Sequence, residues 1–320
     1  MNLRSLASEK IYMKYKILTL SLIGGLFAFS PIAKKVEFKF QLNPGKTYKQ
    51  ETKMISNTTQ TVQGSEMQSK NVVSSITYME MKDEGDTSNV YSVWYDELSM
   101  DIEGGGMNQN FSSDTSSLAM VDPMSSILAG LVEQKFDATI NTSGKVTYVE
   151  NLEEIIEAAV GTAGGAQADM VREQISSSFG DGGFAKNIEM STRLIPENPV
   201  KKGDSWEIEQ YTSTGLPLIL TSTYTLKEVS DGIATIGVSG KLKIDPANAK
   251  TSIQGMNATY FMDGTREGEV KVEVETGWMQ SGTFTDNIVG SISLEASPQM
   301  PNGMTIPMEM NNETTITSEQ

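Results

Sequence analysis

The sequence lacks histidine and cysteine altogether. Without cysteine there are no disulfides, thiolate metal sites or thiol nucleophiles. Without histidine, Ser-His-Asp and Cys-His arrangements, the usual zinc sites and the commonest general base near neutral pH are excluded as well. Positive charge is also scarce: 25 Lys and Arg stand against 41 Asp and Glu, a net charge of −16. An acidic surface repels phosphate backbones and anionic headgroups, which argues against nucleic-acid binding and against electrostatic docking on membranes. Long apolar runs are absent beyond residue 29. The glycine runs at 104–106 and 180–183 sit in neither a GxxxxGK[ST] nor a GxGxxG context, so phosphate cradling has no support.

What is present is enough apolar material for a core: 38% hydrophobic residues, with 10 Phe, 10 Tyr and 3 Trp. Near the start, Lys14 and Lys16 precede the apolar run Ile17–Phe29, with Pro31 and the small Ala33 just beyond. This pattern predicts an export signal over 1–33, removed to leave a periplasmic or extracellular protein without a stable membrane span. Removal would leave 21 basic against 40 acidic residues, a net charge of −19. The expected mature unit is one β-rich domain over 34–320, divided into a strand block at 34–122, helices with a hairpin at 123–180, and a second strand block at 181–320.

Alternation with a period of two dominates. Val36, Phe38, Phe40 and Leu42 predict a first strand, Asn43-Pro44-Gly45 a turn, and Thr47 to Val62 a long strand. Ile76 and Tyr78 mark a third strand, and a fourth carries Val90 to Ile102. The stretch from Gly104 to Ser117 reads as a surface loop. Helical spacing begins at Asp122-Pro123, an N-cap and first-turn proline followed by Met124, Ile127, Leu128 and Leu131. A hairpin through Phe136, Ala138 and Ile140 to Val146 and Tyr148 follows. Asn151 opens a second helix through Leu152, Ile155, Ile156, Ala159 and Val160, ended by Gly161, and a third carries Ala168, Val171, Ile175 and Phe179. One-sided alternation then resumes through Leu216–Leu226, Ile236–Ile244 and Val270–Val274, the mark of antiparallel sheet. The fold class expected is mainly β: an antiparallel curved sheet or unclosed barrel of two similar strand blocks, with a central helical insertion packed over it.

The two blocks share signatures. Gly45-Lys46-Thr47-Tyr48 matches Gly203-Asp204-Ser205-Trp206, Thr77-Tyr78 recurs as Thr223-Tyr224, and Ser143-Gly144-Lys145 resembles Thr276-Gly277-Trp278. An internal repeat with pseudo-symmetry is the expectation.

For chemistry, the sequence nominates no catalytic residue, metal ligand or cofactor. Paired carboxylates could still serve a glycosidase, yet no pair stands out among so many acidic residues. The unusual element is methionine, 19 in all. Met304, Ile306, Met308 and Met310 share one face of the last strand, and Pro307 suggests that strand lies at an edge. Core packing, an adaptable apolar ligand wall and a soft copper(I) site all fit such methionines. As a ligand wall, the candidates are those four with Met124 and Leu128. Trp94, Trp206 and Trp278 read as core anchors.

The segments Pro123–Ala159 and PENPVKKGDSWEIE (Pro196–Glu209), above all FDATINTSGKVTYVENLEE (Phe136–Glu154) and the Pro-x-x-Pro-Val-x-x-Gly-Asp-Ser-Trp run ending at Trp206, resemble an uncharacterised family of secreted Bacteroidota proteins defined as a domain of unknown function. The resemblance implies location and fold and brings no activity or site residues. More loosely, the pattern is similar to the half-barrels of periplasmic lipoprotein carriers. The expected role is that of a non-enzymatic envelope protein, binding a lipid-like or other apolar small molecule between sheet and helices. The alternative is a structural or assembly partner of another envelope protein.

Overall fold

Alternation of apolar and polar residues needs a sheet with one buried face, and in the computed structural model it builds a single antiparallel sheet of 13 strands. The structure describes residues 35–117, 121–163, 183–212, 216–253, 256–296 and 300–319. The export segment and the helix expected around Ala168–Phe179 lie outside them. The first block comprises β1 (Thr47–Val62), β2 (Ser65–Asp83), β3 (Ser88–Gly104), β4 (Met107–Ser112), β5 (Phe136–Asn141) and β6 (Val146–Glu150). The second comprises β7 (Ser205–Thr212), β8 (Leu218–Ser230), β9 (Ile233–Ile244), β10 (Lys250–Ile253), β11 (Met256–Glu273), β12 (Met279–Leu294) and β13 (Met304–Glu319).

The order across the sheet is β6-β5-β3-β2-β1-β13-β12-β11-β9-β8-β7, with β4 on β3 and β10 on β11. Both blocks therefore step in the same direction, from β1 to β6 and from β7 to β13. They join where β1 pairs with β13, from Lys49 opposite Glu319 to Gln60 opposite Met308. The ends, β6 and β7, do not pair, so the sheet is an unclosed barrel.

The sequence correspondences fall on equivalent strands. Gly45 and Gly203, at φ 74° and 89°, precede the first strand of each block. Thr77-Tyr78 and Thr223-Tyr224 lie on the second strands, β2 and β8, and the third correspondence falls in the β5–β6 and β11–β12 turns. Each turn glycine receives a passing backbone. A Cβ at Gly144 would collide with the Thr192 carbonyl, and one at Gly277 would strike the Lys39 carbonyl. These two turns grip the chain that enters the domain: Phe40 N donates to Thr142 O and Gln41 N to Thr276 O, each at 2.9 Å.

That grip corrects the first strand expected from Val36 to Leu42. Phe38, Phe40 and Leu42 are buried as the alternation demands, yet the segment meets a ladder only at Val36–Val200. It crosses the end of the half-barrel as a plug, its amides taken by turn carbonyls. The loop expected over Gly104–Ser117 is also corrected: Gly105 and Gly106 turn the chain back and Met107–Ser112 pairs with β3. Nor is the last strand an edge. β13 pairs on both sides, and the ladder to β1 ends at Gln60–Met308, one residue before Pro307, so the proline interrupts no β1–β13 pair.

Three helices are described: α1 (Pro123–Leu131), α2 (Leu152–Ala163) and α3 (Gly183–Thr192). Asp122 caps α1, accepting from Ser125 N at 2.9 Å. Helix α2 runs two residues past Gly161, where a stop was expected. α1 and α2 bury Ile127, Leu128, Leu131, Ile156, Ala159 and Val160 together with Leu98 of β3. α3 is absent from the sequence reading because only Phe184 and Ile188 carry its apolar face; Ser191 and Thr192, where the stripe should continue, are hydroxyls.

Candidate functional site

The open side of the barrel is where α3 lies. Its Glu189 carboxylate accepts from the Val146 amide of β6 at 2.9 Å, and its Thr192 hydroxyl donates to Gly144 O at 2.7 Å. On the other side, Gln210 of β7 donates from Nε2 to Glu189 O at 2.8 Å, and Trp206 donates from Nε1 to Leu194 O at 3.1 Å. One short helix thus satisfies groups on both unpaired strands and straps the gap. Phe184 fixes its near end, edge-on to Phe136 at 4.3 Å and to Tyr95 at 5.3 Å.

Beneath the strap is a cavity of about 220 Å³. Its wall is the concave face of β13, β1, β2 and β3, its roof is Asn187, Ile188, Met190 and Ser191 of α3, and Trp278 closes one end. Met54, Val73, Met79, Val93, Leu98 and Ile316 supply most of the apolar lining, with Thr52, Ser75, Thr77 and Thr314 between them. None of the lining residues is charged. Tyr95 also borders the space, and burial pushes its phenol well above the ordinary range, so it stays neutral. Ligand pockets usually measure ~300–1,000 Å³, so this one suits a small molecule or the end of a chain.

Above the cavity a polar row crosses the concave face. Ser222, Gly240, Arg266, Asp286, Asn312, Ser56 and Asn71 stand directly opposite one another on β8, β9, β11, β12, β13, β1 and β2. Arg266 donates from Nε and Nη2 to the two Asp286 oxygens, each at 2.6 Å, with both side chains almost wholly buried. In the same row, Ser222 Oγ, Asn312 Oδ1 and Asn71 Oδ1 are buried with no partner. Burial raises the phenol of the neighbouring Tyr224, against a smaller downward pull from the Arg266 charge. The row divides the face between a large apolar cluster around Phe40, Tyr48, Tyr91 and Trp278 and a second around Leu220, Leu242, Met262 and Ile288.

The residues nominated from the sequence do not meet. Met304, Ile306, Met308 and Met310 share the concave face of β13, as expected, but pack in the second cluster, with Met308 buried and the others half-buried. Met124 and Leu128 belong to the α1–α2 cluster. None of the six lines the cavity. The lining residues that were missed, Thr52, Ser75 and Thr77, are hydroxyl residues, and on β2 the sequence pointed to Ile76 and Tyr78, which alternate with them on the opposite face. Among the described residues no three acidic side chains are placed to hold a metal, and no helix is long and apolar enough to cross a membrane.

A larger cleft, about 510 Å³, opens outside the strap between the β5–β6 turn and the free edge of β7. Lys145, Arg193, Glu197, Glu207 and Glu209 give it a charged lining.

Fold and cavity together define an unclosed antiparallel half-barrel strapped by a helix. Residues 86–279 match the model described as Family of unknown function (DUF6263), and the chain belongs to that family. No curated protein sequence matches it. Among solved structures, lipovitellin, titled for its lipid–protein interactions, aligns at 10% identity and a TM-score of 0.48 over 88% of this chain and 26% of its own. The chain thus spans about a quarter of lipovitellin's length. An outer membrane channel from Pseudomonas putida F1 aligns at 10% identity and a TM-score of 0.26, over 88% of this chain and 97% of the channel. Pseudomonas aeruginosa OpdQ aligns at 6% identity and 0.20, over 86% and 99%. Likeness at this level says nothing about ligand or activity.

Proposed function

We propose that this is an exported, non-enzymatic envelope protein that holds a small apolar or lipid-like molecule between its curved sheet and α3. The observation that carries this reading is the uncharged, largely apolar cavity under a helix whose hydrogen bonds close the barrel. The lack of histidine and cysteine and the acidic composition agree with a carrier or binding role rather than catalysis. The test is native mass spectrometry of protein taken from its own envelope, followed by organic extraction and intact-mass measurement. A recurrent small-molecule adduct on a chain beginning near Lys34 is expected, and it should vanish when Thr52→Leu and Ser75→Leu together fill the cavity. Clean apo protein from the native source would overturn it. The charged cleft along the unpaired edge of β7 favours a second reading, an assembly partner that docks another envelope protein there.

A further inference from the structure

β7 ends the sheet and pairs only with β8. Leu226 N donates to Asp204 O at 3.0 Å, which sets the parity of the ladder. Even-numbered residues of β7 turn their backbone groups to β8, and the N–H and C=O of Ser205, Glu207 and Glu209 point outward. Among the described residues no backbone hydrogen bond from another segment reaches them. The strap reaches β7 at Gln210, beyond this stretch. The cleft of about 510 Å³ follows the open edge, because every residue from Ser205 to Glu209 lines it, whereas a groove on one face of a strand would touch alternate residues.

Charge selects the occupant. Glu207 and Glu209 are exposed on one face of β7, about 7 Å apart along the strand, and Glu197 also lines the cleft. None of the three forms an ion pair among the described residues, whereas Arg193, one of the two basic residues lining the cleft, is paired with Glu189 at 3.4 Å. A second copy pairing antiparallel along the same edge would set Glu207 opposite Glu209, like charge against like charge. Resting on the second reading above, docking along the edge of β7, we propose that the occupant is an extended segment of a partner protein with lysine or arginine at two alternate positions. It adds to the sheet as a further strand beside β7. Backbone bonds to Ser205, Glu207 and Glu209 hold it, and its basic side chains opposite Glu207 and Glu209 set the choice of partner.

The probes are three short acetylated peptides: Thr-Val-Lys-Val-Lys-Val-Thr, the same peptide with Glu in place of Lys, and the Lys peptide N-methylated at both lysines. Methylation keeps the charge and removes the amides that would face β7. Amide signals of the nitrogen-15-labelled, signal-less chain report binding. The Lys peptide should move the Glu207 and Glu209 amides downfield and slow their exchange, and the Glu peptide should bind about tenfold more weakly. The methylated peptide should leave both amides in place. Glu207→Lys together with Glu209→Lys, both at exposed positions, should reverse the preference between the first two peptides while the spectrum stays dispersed. If the methylated peptide binds as tightly as its parent, strand addition is wrong and docking in the cleft stands. If the Lys and Glu peptides bind alike, the basic partner is wrong. If no peptide moves any signal from residues 195–209, the proposal and the docking reading both fall.

Discussion

The two strand blocks step across the sheet in the same order, yet their concave faces differ in kind. The second block presents Leu218, Leu220, Leu242, Met262, Ile288 and Leu294, which fill the curve of their own sheet. The first sets Gln50, Thr52, Ser75 and Thr77 among Met54, Val73 and Met79, and the space these leave is closed by α3 instead. Topology alone thus makes neither a core nor a cavity. Side-chain volume along one face of a few strands decides which it is.

The comparison breaks most severely at the polar row. Asp286→Leu leaves the Arg266 guanidinium buried without a counter-charge, and should cost about 3–5 kcal/mol in urea unfolding, whereas Arg266→Met with Asp286→Leu should recover most of that. Within the second block, Leu220→Ala empties a fully buried site and should cost about 2–5 kcal/mol. Thr52→Leu, at the cavity wall of the first block, should change stability by less than about 1.5 kcal/mol, because space already exists for it. A cost for Thr52→Leu as large as that for Leu220→Ala would erase the distinction between the blocks. Next comes the strap: Gln210→Ala removes one hydrogen bond that holds α3 to β7 and should cost about 1–3 kcal/mol, with faster amide exchange confined to 183–192.

The smallest effect concerns pH. Burial raises the phenols of Tyr91 and Tyr95 in the first block and of Tyr224 in the second. A raised folded value means the unfolded chain loses these protons first, so their contribution is complete below about pH 10 and falls away as pH climbs towards the folded values. Urea midpoints at pH 9 and 11 should therefore drop, and Tyr95→Phe should make the drop shallower. An unchanged slope would place Tyr95 in contact with solvent.

Much of this architecture is legible in the residues. Alternation located most of the strands, Asp122-Pro123 located α1, and three short correspondences gave the repeat before the strand order was known. The failures have physical causes. β12 escapes because Gly282, Asp286 and Gly290 interrupt its apolar alternation, while pairing on both sides secures it regardless. Pro307 points to an edge only if the neighbouring ladder continues past it, and the β1–β13 ladder stops at Met308. The methionine stripe was read correctly as one face, but facing alone cannot tell a packed curve from a hollow one. The polar part of the cavity wall is written in threonines and serines, residues that look solvated until a helix with only two buried apolar side chains covers them.

Pairing of β1 with β13 joins residues as far apart as Gln50 and Ser318, whose side chains bond at 3.3 Å. The centre of the sheet therefore cannot form until β13 has been synthesised, and β1 keeps an open edge until then. Such long-range pairing is slow, since loop-closure entropy is spent before the contacts that reward it form. The same seam is also the place where an unfinished copy would pair with a neighbour, so refolding yield should fall steeply with protein concentration.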